Sequence, residues 1–135
     1  MAGFITEGIV TGVRRYGEAD RLITIFSRDR GKIGAIAKSS RKPKSTIRGA
    51  SEAFVKARFE LAEGKSLAIV RSAEIVDPHL QIRDNWRSLQ FAGHVAEIVN
   101  KMSEDGVPDP DLYDILDRAP NEISGGENDA VVRFK

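Results

Sequence analysis

The first 76 residues alternate between apolar and polar side chains in short runs, a pattern that predicts β-strands. The clearest run is AFVKARFEL, residues 53–61, in which apolar side chains alternate with charged ones. Such a strand has one buried face and one solvated face. RLITIFS, residues 21–27, is instead apolar on both alternations and predicts a short strand that is buried on both sides or covered at one end. The remaining strands are predicted at residues 4–15, 32–38 and 67–76.

Glycines and turn sequences between these runs predict a small closed barrel. Gly8 and Gly12 interrupt the first strand, and glycines at such positions mark a bend or a bulge. RDRG is a turn signal in which Gly31 is expected to take a positive φ, and a second tight turn is expected at Gly64. One long connection, residues 39–52, separates the third strand from the fourth. Five short strands with a long, bent first strand are typical of such a barrel.

The apolar spacing changes from two to three and four near Ile82, which predicts a helix. The helix carries two neighbouring apolar stripes. Their members are Ile82, Trp86, Leu89, Ala92, Ala96 and Val99 in the first stripe, and Phe91, Val95, Ile98 and Met102 in the second. Because this apolar face is wide, we expect the helix to pack against two neighbours.

Shorter helical segments follow the sequence EDGVPDPD, which ends the first helix. Asp109 is expected to cap the next helix, with Pro110 at its first position. LYDILDRA, residues 112–119, predicts a short helix, NEISGG a loop, and ENDAVVRFK, residues 127–135, the start of another helix. Because this last segment stops without a cap or a glycine, we expect the chain to be part of a longer one.

The predicted fold is α+β, with a five-stranded barrel domain at residues 1–77 and the start of an α-helical domain at residues 78–135. Charge divides the chain near the same boundary. Residues 1–76 hold 15 Lys and Arg against 8 Asp and Glu, whereas residues 77–135 hold 6 against 12. The formal net charge of +1 therefore conceals a basic half and an acidic half. The basic half favours a polyanionic partner.

The densest positive charge lies in AKSSRKPKSTIRGA, residues 37–50, within an acid-free stretch from Gly31 to Ser51. The cations of this segment are Lys38, Arg41, Lys42, Lys44 and Arg48. Two interpretations are open at this point: an anion-binding loop, or an ordinary solvated loop that is basic. For phosphate binding, Pro43 would keep Lys42 extended and prevent the segment from becoming a helix. Extended spacing would let adjacent cations reach successive phosphates. Other basic residues would extend the surface if the barrel placed them on the same side, namely Arg14, Arg15, Arg21, Lys56 and Arg58.

Aromatic side chains suited to stacking on bases are few. Phe26, Phe54 and Phe59 are expected in the core because of their apolar neighbours, and Tyr16, in RRYGE, is the exposed candidate. The predicted binding is therefore dominated by the phosphate backbone and weakly selective for sequence.

The sequence offers no arrangement suited to catalysis or metal binding. It has no cysteine, and its two histidines, His79 and His94, lack the spacing of metal ligands. Ser39 and Ser45 lack a base for a nucleophilic triad, and no phosphate-binding or dinucleotide-binding glycine motif occurs. We therefore expect a non-enzymatic protein without a cofactor or a metal. The absence of cysteine, of a secretory leader and of a long apolar run favours the cytoplasm and no membrane.

The segment TEGIVTGVRRYGEADRLITIFSRDRGKIGAIAKSSRKPKS resembles the opening of the bacterial RecO family of DNA repair and recombination-mediator proteins. The matching motifs are TEGIV (6–10), RRYGEADRL (14–22), FSRDRGKIGAIAK (26–38), RKPKS (41–45), AEIVD (73–77) and LQFAGHVAEIV (89–99). They span essentially the whole chain. Family members often have glycine after the lysine of this loop, where this chain has Ser39. Because the chain is shorter than is usual in the family, we expect it to lack the region where many members carry zinc.

The resemblance implies an OB-fold barrel followed by part of a helical domain, in a bacterial cytoplasmic protein that works at the nucleoid. It implies binding to single- and double-stranded DNA, annealing of complementary strands, partnership with RecR and the single-strand-binding protein, and loading of RecA. The implied DNA-binding residues lie in the matching loop, with two further candidates in the first strand. They are Lys38, Arg41, Lys42, Lys44 and Arg48, together with Arg14 and Arg15.

Two other functions would use the same charge. A protein–protein module could grip an acidic peptide with its basic face, and the acidic tail of a single-strand-binding protein is one such ligand. An RNA-binding barrel would follow the same electrostatic logic, and only the family motifs distinguish it from a DNA-binding one.

Overall fold

The structure is a computed structural model that describes residues 2–125, in which five strands precede two helices. The strands are β1 (Gly3–Tyr16), β2 (Asp20–Ser27), β3 (Gly31–Ala37), β4 (Lys56–Ala62) and β5 (Ala68–Asp77). The helices are α1 (Trp86–Met102) and α2 (Pro110–Gly125), and short 3₁₀ turns occur at Gly49–Ser51 and Leu80–Ile82. The predicted α+β fold and all five predicted strands are confirmed.

The strands form a closed barrel in the order β1-β2-β3-β5-β4, which is the arrangement of an OB fold. All neighbouring pairs are antiparallel except β3 and β5, which are parallel and pair at only two positions. The long first strand pairs with β4 through its first half and with β2 through its second half. The register between β1 and β2 shifts between Val10 and Gly12, so the irregularity predicted from the glycines is confirmed.

Two apolar cores share the strands β1 and β2. Alternate residues point to opposite faces, so Val10 and Ile25 fill the barrel interior, whereas Ile9 and Phe26 point outward to the helices. All four side chains are fully buried. This double burial explains why RLITIFS is apolar on both alternations, as the sequence predicted.

Helix α1 begins later than its apolar spacing predicted. The Asn85 side chain caps it, with Oδ1 accepting from the Arg87 amide at 2.9 Å, so Ile82 belongs to the preceding 3₁₀ turn. The helix packs on β1 and α2, which confirms the prediction of two neighbours. The predicted stripes are wider than the buried face, which consists of Ser88, Ala92, Val95, Ala96 and Val99. Trp86, Leu89, Ile98 and Met102 are exposed, because they lie on the margins of that face.

Helix α2 is longer than predicted. Asp109 caps it as expected, with Oδ1 accepting from the Leu112 amide at 3.1 Å. The helix then continues through Pro120 to Gly125, so the loop predicted at NEISGG is wrong at residues 121–125. Pro120 is buried, and Gln81 donates to Asn121 Oδ1 at 2.8 Å, so tertiary contacts outweigh the helix-breaking preference of proline. The helix predicted for ENDAVVRFK lies outside the described residues.

The connection between the two helices packs on the start of β3. Gly31 has a φ of 73°, as predicted for the turn, and its Cα faces the backbone of Val107 with no room for a Cβ. The Gly106 amide donates to the Lys32 carbonyl oxygen at 3.0 Å. Barrel and helices therefore meet through close backbone contact as well as through the shared outer core. Within residues 2–125, no helix is both long and apolar enough to span a bilayer.

Candidate nucleic-acid interface

The basic loop, residues 38–48, folds into three consecutive turns. The amides of Lys42, Ser45 and Arg48 each donate to the carbonyl oxygen three residues earlier, at N···O distances of 3.1, 3.0 and 3.5 Å. Pro43 occupies the second position of the middle turn, where its fixed φ is favourable. The extended spacing expected along this segment is therefore wrong, because proline restricts one φ while hydrogen bonds fold the residues around it. The segment forms no helix, as Pro43 predicted.

Hydrogen bonds fasten the basic loop to the turn between β1 and β2. The Arg41 amide donates to the Ala19 carbonyl at 2.9 Å, and its guanidinium donates to the carbonyls of Asp20 and Gly17 at 3.0 and 2.6 Å. Ser39 has a φ of 56°, in the left-handed region that favours glycine, and its amide donates to Asp20 Oδ1 at 2.6 Å. Arg41 therefore positions the loop in addition to carrying charge.

One surface depression collects arginines from β1, β2 and the basic loop. We call it the arginine hollow, and its lining residues are Val13, Arg14, Arg15, Glu18, Arg21, Arg41 and Arg48. The structure thus brings the two candidates of β1, Arg14 and Arg15, beside two of the five loop candidates. Arg21 is held in place within the hollow, since Nη1 donates to the Arg48 carbonyl at 2.9 Å and Nη2 lies 3.0 Å from Glu52 Oε1.

A second depression holds the three other loop candidates. We call it the lysine hollow, and it is lined by Lys38, Ser39, Lys42, Lys44, Ser45, Thr46, Ile47, Val70 and Arg71. Arg71, on β5, was not predicted as a site residue. Strand alternation could place its side chain on the outside of the barrel, but only the path of the basic loop shows that it lies opposite the lysines.

Two of the cations that were expected to extend the surface, Lys56 and Arg58, lie beside carboxylates. Lys56 Nζ lies 2.9 Å from Asp117 Oδ2 of α2, and Arg58 lies in register between Glu7 and Glu74 of the neighbouring strands. Lys56 and Arg58 therefore do not extend the basic surface. Within residues 2–125, several cations of the two hollows form no ion pair: Arg14, Arg15, Lys38, Lys42, Lys44, Arg48 and Arg71.

The helical region covers part of the face that OB folds commonly use for ligands, on strands two and three. Lys32 of β3 donates from Nζ to the Asn100 carbonyl at 2.8 Å and to the Ser103 carbonyl at 3.1 Å, both at the end of α1. Asn100 in turn donates from Nδ2 to the Thr11 carbonyl of β1 at 3.1 Å. The unpaired cations of the two hollows lie instead on the basic loop, on β1 and on β5.

The aromatic predictions are confirmed. Phe26, Phe54 and Phe59 are buried, whereas Tyr16 is 44% exposed and directly follows Arg15 of the arginine hollow. Trp86, which the helical pattern assigned to an apolar stripe, is the most exposed large apolar side chain of the described residues.

The buried histidine has partners inside the fold. His79 Nδ1 lies 2.6 Å from the Phe54 carbonyl oxygen, and Nε2 lies 3.2 Å from Asp77 Oδ2. His94 is on the surface of α1. In the part of the chain that the structure describes, no group of three or more His, Cys, Asp or Glu side chains is arranged to hold a metal ion.

A family model described as "Recombination protein O N terminal" matches residues 1–79, a range that contains all five strands and both hollows. The chain belongs to the RecO family. Similar proteins include DNA repair protein RecO of Acetivibrio thermocellus, which is 34% identical over 128 residues, covering 87% of this chain and 51% of that protein. DNA repair protein RecO of Pelotomaculum thermopropionicum is 32% identical over 133 residues, covering 98% of this chain and 52% of that protein.

This RecO-family chain spans about half the length of the curated relatives that it matches. Among solved structures, a chain from the crystal structure of the S. pombe Stn1–Ten1 complex is similar, with a TM-score of 0.40 and 15% sequence identity. The similarity covers 74% of this chain and 77% of that chain, and at this level it carries no argument about function.

Proposed function

We propose that this chain is a non-enzymatic DNA-binding protein of DNA repair and recombination, and that it binds the phosphate backbone through the lysine hollow and the arginine hollow. The observation that carries the proposal is the set of exposed, unpaired cations that the basic loop gathers on an OB barrel. The relatives named DNA repair protein RecO support the biological context.

Phosphate contacts suit the chemistry of both hollows. Lysine and arginine side chains that neutralise phosphates release condensed counterions, which favours binding without regard to sequence. Hydroxyl groups of Ser39, Ser45 and Thr46 line the lysine hollow and are able to donate to phosphate oxygens. Since neither hollow contains an aromatic side chain, we expect little direct reading of bases from these two depressions.

The separation of the two hollows supports a finer proposal about strand annealing. Their lining residues are disjoint, with Arg41 and Arg48 in one and Lys38, Lys42 and Lys44 in the other. Two backbone sites that share one loop would hold two strands close together, or follow the two backbones of a duplex. We therefore include four further activities in the proposal: strand annealing, binding to both single- and double-stranded DNA, loading of RecA, and partnership with RecR and the single-strand-binding protein. We place it in the bacterial cytoplasm.

The proposed functional division follows the change from strands to helices. The proposed DNA-binding domain comprises residues 1–77, and the proposed second domain comprises residues 78–135, whose described part is mainly helical. The basic half of the chain coincides with the first of these, which supports the assignment of DNA contacts to the barrel.

Replacing Lys42 and Lys44 together by alanine should weaken binding to a labelled single-stranded oligonucleotide by roughly tenfold at low salt, because two phosphate contacts are lost. Both side chains are exposed and without ion pairs in the described structure, so folding should be unaffected. Fluorescence anisotropy measures the affinity, and circular dichroism checks the fold.

The matched control for that experiment removes two exposed cations from the helices, by Lys101→Ala with Arg118→Ala. Its net charge change is the same, so a general electrostatic effect would weaken binding equally in both variants. Equal losses would contradict a site at the lysine hollow. Arg41 is left unchanged, because its removal would also release the loop from the β1–β2 turn.

A further inference from the structure

Trp86 is a large aromatic side chain in an unusual position, at the first residue of α1 with 70% of its surface exposed. It is the single tryptophan of the chain. The Arg87 guanidinium lies over the indole, with Cζ 5.7 Å from the ring centroid. Because the Asn85 side chain caps this helix end, the backbone that presents both side chains is fixed.

A chain of direct contacts joins this position to the arginine hollow. Arg21 donates to the Arg48 carbonyl at 2.9 Å and pairs with Glu52 Oε1 at 3.0 Å. The second oxygen of the same carboxylate, Oε2, lies 3.7 Å from Arg83 Nη1. Arg83 also donates to the Ala53 carbonyl, and it precedes Trp86 by three residues. The start of α1 is therefore held against the segment that follows the basic loop.

We propose that Trp86 and Arg87 form a stacking platform for an unpaired base of single-stranded nucleic acid whose backbone lies in the arginine hollow. The inference rests on the proposed function and adds a base-contacting site to it. Tyr16 stands beside Arg15, and the Trp86 platform is tied through Glu52 to the neighbourhood of Arg48, so aromatic side chains accompany the hollow in two places.

The chemistry of the platform favours single strands over duplexes. A base that is not paired or stacked on its neighbours is free to lie on an indole face, and such stacking tolerates any base. Arg87 contributes a cation beside the ring, where it attracts the adjacent phosphate and keeps its contact with the indole. In a duplex the base faces are covered by the helical stack, so the same platform has no base to hold.

Tryptophan emission, excited selectively over that of the two tyrosines, reports on this site alone, because there is no second tryptophan. Titration with a single-stranded oligothymidine at low salt should quench the emission, and the quenching should saturate together with the anisotropy of a labelled copy of the same oligonucleotide. An abasic oligonucleotide with the same number of phosphates should bind without that quenching. If anisotropy rises while emission stays unchanged, the platform is overturned and DNA binding stands. If anisotropy does not rise at low salt, the proposed function and the platform both fail.

Substitution of the indole gives an independent test. Trp86→Ala should weaken binding of single-stranded oligothymidine about tenfold, because one base-stacking contact is lost. Trp86→Phe should retain most of the affinity, since a phenyl ring still stacks. Ile98→Ala removes another exposed apolar side chain of the same helix and should leave the affinity unchanged. Equal affinities for Trp86→Ala and Ile98→Ala would overturn the platform.

Discussion

Replacing Phe26 by alanine should lower the free energy of unfolding by about 3–5 kcal/mol, the usual cost of truncating a fully buried phenylalanine. Phe26 has no exposed surface and lies on the outer face of β2, where its ring packs near Tyr113 of α2 at a centroid distance of 6.2 Å. The substitution reduces the apolar surface that folding buries, and it removes a packing contact between the barrel and the helices. Urea denaturation followed by circular dichroism would measure the loss.

The control for this substitution is Met102→Ala at the exposed end of α1. A surface truncation of this kind should change the unfolding free energy by about 0.5 kcal/mol or less. If the two variants were equally stable, Phe26 would not lie in the outer core that joins the two parts of the chain.

Gly31→Ala should also destabilise the protein strongly, by about 3 kcal/mol or more. Two penalties add at this residue. Its φ of 73° is unfavourable for an L side chain, and the new Cβ would collide with the backbone of Val107. Relief of the collision requires the α1–α2 connection to leave β3, which would also disturb the Gly106 hydrogen bond to Lys32. Urea denaturation again measures the effect.

Gly17→Ala separates the two penalties. Gly17 has a similar φ of 62°, but no atom outside its immediate chain neighbours lies close to where its Cβ would stand. Only the conformational penalty of about 1 kcal/mol should remain. Similar losses for the two variants would show that the connection does not press against Gly31 as described.

The strands were predictable from sequence because their signals are local. Alternation of side chains identified the strand containing Phe59, double-sided apolarity identified the one containing Phe26, and the turn at Gly31 has the predicted positive φ. Each of these signals depends on residues that are adjacent in sequence and on whether a face of the strand is buried, without reference to particular distant contacts. The cap at Asp109 belongs to the same class, since a capping side chain contacts its own helix.

The errors arose where distant contacts decide the conformation. Pro120 breaks helices in isolation, but here it is buried, and Asn121 bonds to Gln81 from the other end of the helical region. Periodicity marked Trp86 as apolar but could not show that its side chain lies beyond the edge of the buried face. The periodicity of apolar residues identifies one side of the helix, whereas the burial of each residue depends on which parts of that side contact β1 and α2.

The candidate site likewise has a part that the sequence predicts and a part that depends on distant contacts. Its charge was evident from the acid-free segment, so the loop residues and Arg14 and Arg15 could be named. Their partition into two hollows depends on Arg41 reaching the carbonyls of Gly17 and Asp20, more than twenty positions earlier. Arg71 joins the lysine hollow for the same reason. Only the folded path of the loop shows which cations face one another.

The most direct test of the account is the salt dependence of binding to a labelled single-stranded oligonucleotide. If three or four side chains of the hollows touch phosphates, a plot of log K against log salt should have a slope of roughly −2 to −3. Removing Lys42 and Lys44 should flatten that slope by about 1.4, and the Lys101 and Arg118 control should leave it unchanged. Absence of binding at low salt, or an affinity that does not change with salt, would contradict a phosphate-binding surface on this barrel.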